Sequence, residues 1–103
     1  MANVAEYAYL GTELKFLVEI EAEDFDMDLD DFEVEIIRGS KTLHFGKEDM
    51  FKDDENNWYV CFDTQDLKTG KISARIIAYV PDADFPDGTR TEVQRLDLIT
   101  VKA

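Results

Sequence analysis

Cysteine occurs once in the 103 residues, so Cys61 has no partner for an internal disulfide and a core must hold the fold. It lies inside the apolar-alternating run Trp58-Tyr59-Val60-Cys61-Phe62, a setting that predicts a buried, inert thiol. No apolar run approaches the roughly 18 residues that would suggest a membrane span. The opening MANVAEYAYLGTELKF has no basic n-region followed by an apolar h-region. The expectation is therefore a cytoplasmic protein or one packed into a virion. Positive charge is scarce: 11 Lys and Arg face 24 Asp and Glu, a formal net charge of −13. Such a chain cannot supply the clustered Lys and Arg that release counterions from a phosphate backbone, which excludes nucleic acid as a partner. Anionic membrane surfaces are disfavoured for the same reason.

Catalytic signatures are missing as well. No Gly-rich phosphate loop, nucleophile elbow or paired-cysteine motif occurs. His44 is the one histidine; it alternates with Leu43 and Phe45 as an ordinary strand residue does, with no nucleophile motif to serve. A glycosidase-type carboxylate pair would have to be chosen arbitrarily among 24 acidic residues. The reading is of a protein that is not an enzyme and needs no cofactor.

What the chain does have is a core. Hydrophobic residues make up 45% of it, with seven Phe, four Tyr and one Trp, enough for a single domain over residues 1–103. Residues 1–10 are weakly patterned and read as an arm or a short edge strand around Tyr7, Tyr9 and Leu10. Glu13 to Glu21 alternates, with Leu14, Phe16, Val18 and Ile20 on one face. Phe32 to Arg38 repeats the pattern, Gly39-Ser40 makes a hairpin turn, and Lys41 to Lys47 returns. Glu48 to Asn57 reads as a polar loop with Met50-Phe51 as an apolar plug. Trp58 to Asp63 is the next strand, and Thr64 to Gly70 is long enough for one turn around Leu67. Lys71 to Val80 places Ile72, Ala74, Ile76, Ala78 and Val80 on one face, the two Ala implying close sheet-to-sheet approach. Pro81 closes that strand, an Asp-Gly turn follows, and Arg90 to Val101 needs a bulge, with the apolar phase shifting between Val93 and Leu96. Six or seven strands with regular turn signals and no amphipathic helix define an all-β sandwich.

Glu19 to Glu35 holds ten acidic residues and no basic one. Three readings stand: a metal loop, a binding surface, or a solvated connection between two core strands. Asp24, Asp26 and Asp28 have the spacing that opens a calcium loop, and Glu35 falls twelfth. The sixth position, where the sharp turn requires Gly, is Leu29. The plainer reading is a solvated connection whose apolar residues tuck under a sheet edge, with a Ca²⁺ or small-ligand site over Asp24–Asp31 as its rival. Asp30 and Asp31 are then the natural carboxylates for a basic protein partner, which the net charge also favours.

Trp58 and Tyr59 fall on opposite faces of one strand, so one is core and the other exposed. Tyr59, Tyr79, Ile77 and Leu17 together would make an apolar area on an outer face. Phe85, on the Pro-bounded loop Asp82 to Gly88, is a second contact candidate, unless it folds back onto the core.

Several short motifs line up with a known family. Gly11-Thr-Glu-Leu14 opens the first core strand, and Asp26-Met27 or Asp28-Leu29 leads into the second. Asp63-Thr64, Leu67 and Gly70 precede the strand over Ile72–Tyr79, and Asp87-Gly88 precedes the last. In this the chain resembles the small immunoglobulin-like β-sandwich modules of phage and prophage tail or baseplate proteins, such as the baseplate-upper-protein N-terminal domain. It departs from their pattern in lacking Thr-Gly after Asp-Leu and in its heavier acidity. The resemblance implies an antiparallel immunoglobulin-like sandwich of about seven strands. It also implies a structural or docking role, with a protein partner or self-assembly, and no catalytic residues to carry over.

Overall fold

Apolar residues at every second position turn the chain into eight strands among residues 7–103, the part that the computed structural model describes. They are β1 (Tyr7–Tyr9), β2 (Glu13–Val18), β3 (Phe32–Arg38), β4 (Lys41–Gly46), β5 (Phe51–Lys52), β6 (Trp58–Asp63), β7 (Gly70–Pro81) and β8 (Thr89–Lys102). One sheet has the order β1-β8-β7-β3-β4 and the other β2-β6-β5. All pairings are antiparallel except β1 against β8, where Tyr7 faces Thr100 and Tyr9 faces Lys102. Two such sheets packed face to face make a β-sandwich, and a sheet of three strands facing one extended at both edges follows the immunoglobulin-like order. Tyr7–Tyr9 is thus an edge strand; residues 1–6 lie outside the described part. Among the described residues no helix is long and apolar enough to cross a membrane.

The inward faces meet as the alternation requires. Val18, Val60 and Phe62 of the smaller sheet pack against Phe32, Val34, Ile36, Ile72, Ala74 and Ile76 of the larger one, all buried. Phe32 is fully buried and meets Trp58 edge-on across the sheets at 5.4 Å, and Phe25 at 6.2 Å. Ala74 and Ala78 are buried at inward positions, where their small side chains let the other layer close in. Truncating a core side chain of this kind costs about 2–5 kcal/mol.

Four local expectations are corrected. β2 ends at Val18, and the chain from Glu19 leaves the sheet, although Ile20 still packs against the core. The polar loop after β4 contains a 3-10 turn (Lys47–Asp49) and the two-residue β5, in which Met50 packs inward while Phe51 is 52% exposed. The phase shift in β8 falls later than Val93–Leu96. Ile72 faces Ile99 but Ser73 faces Asp97, so Leu98 is the extra residue of the bulge. Val93 needs no shift, because it sits opposite Ile77 on the outer face. Cys61 is exposed, not buried. Val60 and Phe62 take the inward positions, so period two sends Cys61 out beside Lys15.

One end of the sandwich is sealed by a polar anchor. Asp63 caps the 3-10 turn Thr64–Asp66 by accepting from Gln65 N. Thr64 is fully buried; its Oγ1 accepts from Gly11 N at 2.9 Å and its N donates to Thr12 O at 3.1 Å. Leu67, also fully buried, closes the core, and its carbonyl accepts from Arg38 Nε at 2.6 Å. Thr64→Val leaves the Gly11 amide without its acceptor and should cost about 1–3 kcal/mol in urea unfolding. Thr64→Ser, which keeps the hydroxyl, should recover most of that loss. Equal losses for both variants would show that the methyl group, not the hydrogen bond, matters there.

Candidate functional site

The acidic connection after β2 folds onto itself. Asp26 Oδ1 accepts from Asp28 N and Asp30 Oδ2 accepts from Asp26 N, each at 2.8 Å. Leu29 N and Asp30 N both donate to Asp26 O, which winds residues 26–30 into a single turn. Asp24 sits just before it at φ 65°, in the left-handed region that Asp tolerates in turns. Phe25 and Met27 pack against the core, while Leu29 is 82% exposed. The tuck under the sheet edge expected of the apolar residues is met by two of the three. Asp31 Oδ1 accepts from Phe32 N, and Asp31 O accepts from Tyr79 N at 3.0 Å, which ties the connection to β7.

Two lysines brace this turn, and neither stands out in the sequence. Lys47 Nζ donates to the carbonyls of Asp30 at 3.0 Å and Asp28 at 3.3 Å, and lies 5.1 Å over Trp58 and 5.3 Å over Phe32. Lys52 Nζ pairs with Asp28 Oδ1 at 2.7 Å and stands 5.5 Å from the same indole. The bond from Lys52 is the main reason that the Asp28 carboxyl is held below its usual range. The rings give both cations an apolar floor and a favourable quadrupole. Asp26, Asp28 and Asp30 thus spend oxygens on their own amides and on Lys52. Among the described residues no three of His, Cys, Asp and Glu come together as metal ligands.

The outer face of the larger sheet carries a second polar group. His44 Nε2 lies 2.7 Å from Glu33 Oε1, and Tyr79 OH donates to Glu33 Oε2 at 2.9 Å. Glu33 is held below the ordinary carboxylate range, first by His44 and then by Tyr79; Glu33 in turn raises both partners. Arg75 Nε lies 2.8 Å from Glu35 Oε1, close enough for an ion pair but not aligned as a hydrogen bond. These groups stand on the outer sheet face, with the His44 side chain exposed. A separate shallow depression of ~60 Å³, lined by residues including Ile20, Ile76, Ala78 and Gln94, has room for little more than water.

Tyr79 and Ile77 belong to that larger sheet, whereas Tyr59 and Leu17 belong to the smaller one, so the four do not form one area. The registers Leu17 opposite Tyr59 and Phe51 opposite Tyr59 line up a different group. Leu17, Tyr59 and Phe51 form a strip across all three strands on the outer face of the smaller sheet. Leu17 is 38% and Phe51 52% exposed, and Cys61 is exposed beside them. Phe51 and Tyr59 rings lie 6.4 Å apart, and Lys15 Nζ hovers 4.2 Å above Tyr59 and 5.2 Å from Phe51. Desolvation, then the Asp53 carboxylate, raises the Tyr59 hydroxyl above its usual value. In the sequence Phe51 reads as part of an apolar plug; only its pairing opposite Tyr59 shows it to be a surface residue.

Phe85 is 47% exposed on a loop that is held shut. Asp82 N donates to Gly88 O, Gly88 N to Phe85 O, and Asp84 N to Asp82 Oδ1. Arg90 clamps Asp82 at 2.8 Å and reaches Glu23 O at 3.5 Å. Phe85 is therefore presented on an ordered loop on the same side as the acidic connection.

Comparison with protein-family models, curated proteins and solved structures finds no match to this chain.

The geometry generates two expectations. Calcium at millimolar concentration should leave the melting temperature and the titration calorimetry baseline unchanged; a melting rise abolished by Asp28→Asn would restore the ion-site reading. The His44–Glu33 bond should be strongest between the ordinary values of 4.5 and 6.5. Glu33, lowered in the fold, contributes above 4.5 and loses its contribution as pH falls through the lowered value. His44, raised in the fold, contributes below 6.5 and loses its contribution as pH rises through the raised value. The pair is solvent-screened, so the effect on stability is small. The His44 ring resonances should titrate above 6.5 and move back toward it in Glu33→Gln. An unchanged titration in that variant would remove Glu33 as the cause.

Proposed function

We propose that this protein is a non-enzymatic structural or docking module that binds another protein through the outer face of its smaller sheet. The observation that carries this is the strip Leu17–Tyr59–Phe51, which crosses every strand of that sheet with Leu17 and Phe51 exposed and Tyr59 half-buried between them. Aromatic residues on a rigid sheet lose little conformational freedom on binding, which makes them effective contact anchors. Asp53 and Glu55 lie near Tyr59, so the complementary surface is apolar at its centre with basic residues at its rim. The immunoglobulin-like strand order and the motifs over Gly11–Leu14, Asp63–Gly70 and Asp87–Gly88 support a finer reading, a module of phage or prophage tail or baseplate assemblies.

The lone exposed Cys61 supplies the test. A photoreactive probe attached there, in an extract of the source cells or particles, should crosslink one discrete protein. Phe51→Ser and Tyr59→Ser should each remove that adduct while leaving the melting temperature within a few degrees. Rising salt should weaken capture, as expected where an acidic rim meets a basic one. A crosslinking pattern indifferent to both substitutions would refute docking at this face.

A further inference from the structure

We infer that the open edge of β8 is a self-association surface, on which a second copy of this chain pairs antiparallel through its own β8. On one side β8 is bonded to β7 along its length; on the other, β1 reaches only Thr100, Val101 and Lys102. Among the described residues nothing pairs with the outer edge from Thr89 to Ile99. The other edge strands among the described residues are shorter: six residues each for β2 and β4, three for β1 and two for β5.

The direction of the backbone groups along this edge follows from three bonds. Asp82 N donates to Gly88 O, so that pair bonds inward, toward each other. Alternation down an antiparallel ladder then turns Arg90, Glu92, Gln94 and Leu96 toward β7. Thr91, Val93, Arg95 and Asp97 turn the other way. Tyr79, opposite Thr91, donates instead to Asp31 O on the β3 side, as this alternation demands. Past the bulge, Lys102 O accepts from Leu10 N, again outward. The amides and carbonyls of Thr91, Val93, Arg95 and Asp97 are therefore a ready template for one more strand.

Charge selects a second copy as the occupant. The chain as a whole carries −13 and repels itself. Between Thr89 and Ile99, however, Arg90 and Arg95 balance Glu92 and Asp97, so this edge is where two copies approach at least electrostatic cost. A two-fold axis through Val93 sets Val93 against Val93, Thr91 against Arg95 and Thr89 against Asp97. No like charges oppose each other in that register, and the outward-bonding residues face one another. It also covers Val93, which is 58% exposed, with its own kind. Axes through Glu92 or Arg95 would set like charges together. The product is a continuous sheet of ten strands, five from each copy. This surface is on the other sheet from the docking strip, and the inference does not depend on that strip.

Analytical ultracentrifugation and amide exchange of the full chain test it. Dimer should grow with protein concentration and with salt, which screens the flanking carboxylates. The amides of Thr91, Val93, Arg95 and Asp97 should exchange fast when dilute and slow when concentrated. Those of Arg90, Glu92, Gln94 and Leu96 should be slow throughout. Val93→Pro removes an N–H that has no partner among the described residues, so it should abolish the dimer with the fold retained. Val93→Lys, should the proline variant misfold, should weaken the dimer by about tenfold or more. A chain that stays monomeric at millimolar concentration and high salt overturns the inference. So does a dimer that survives both variants, or edge amides protected at every dilution, which would mean that the chain covers this edge itself.

Discussion

The edge-on contact between Phe32 and Trp58 is the interaction on which the rest of this molecule depends. Phe32 comes from the larger sheet and Trp58 from the smaller, so their 5.4 Å approach sets how the two layers meet at that end. Phe25 closes against Phe32 from the connection, and the ammonium of Lys47 lies over both Phe32 and Trp58. The same lysine holds the carbonyls of Asp28 and Asp30. Core packing and the shape of the most acidic surface are thus one structure. An aromatic floor lets two cations sit where the chain places a dense run of carboxylates, and that run is folded in place instead of being left to repel itself outward.

Much of the fold was legible because period-two alternation is strong wherever one face is buried. Phe32–Arg38 and Trp58–Asp63 end where their patterns end, and the need for a bulge in the last strand follows from its length. What local pattern does not encode is strand pairing. The apolar neighbours of Cys61 along the chain point to burial, whereas its place is set by the inward positions of Val60 and Phe62. Tyr59 and Tyr79 look alike in residue type and strand phase, but pairing sends them to different sheets. Phe51 gives no surface signal in the sequence because its strand is two residues long, with no period to read. Lys47 and Lys52 are distant in sequence from the Asp residues they hold, and no local pattern could announce them.

The electrostatics of the surface are less uniform than the net charge suggests. Four arginines serve four different ends. Arg38 binds a carbonyl at the sealed end, Arg75 faces Glu35, Arg90 clamps the Asp82 loop, and Arg95 rests by Ser73 at 3.4 Å. Three of these contacts fix backbone or neighbouring strands, leaving the carboxylates of the 19–31 connection to dominate the field at one side.

The bulge at Leu98 divides β8 into two reading frames. Upstream, even-numbered residues such as Leu96 look inward; downstream, odd-numbered Ile99 and Val101 do, as their partners Ala74, Ile72 and Gly70 show. Leu98 is thus a frame-shifting residue, and the parallel seat of β1 lies wholly in the second frame. A chain with this residue removed would read in a single frame: Asp97 opposite Ser73 would be followed directly by Ile99 opposite Ile72, and Leu96 and Val101 would both stay inward. What would be lost is the local bend and twist that the extra residue puts just before the seat of β1.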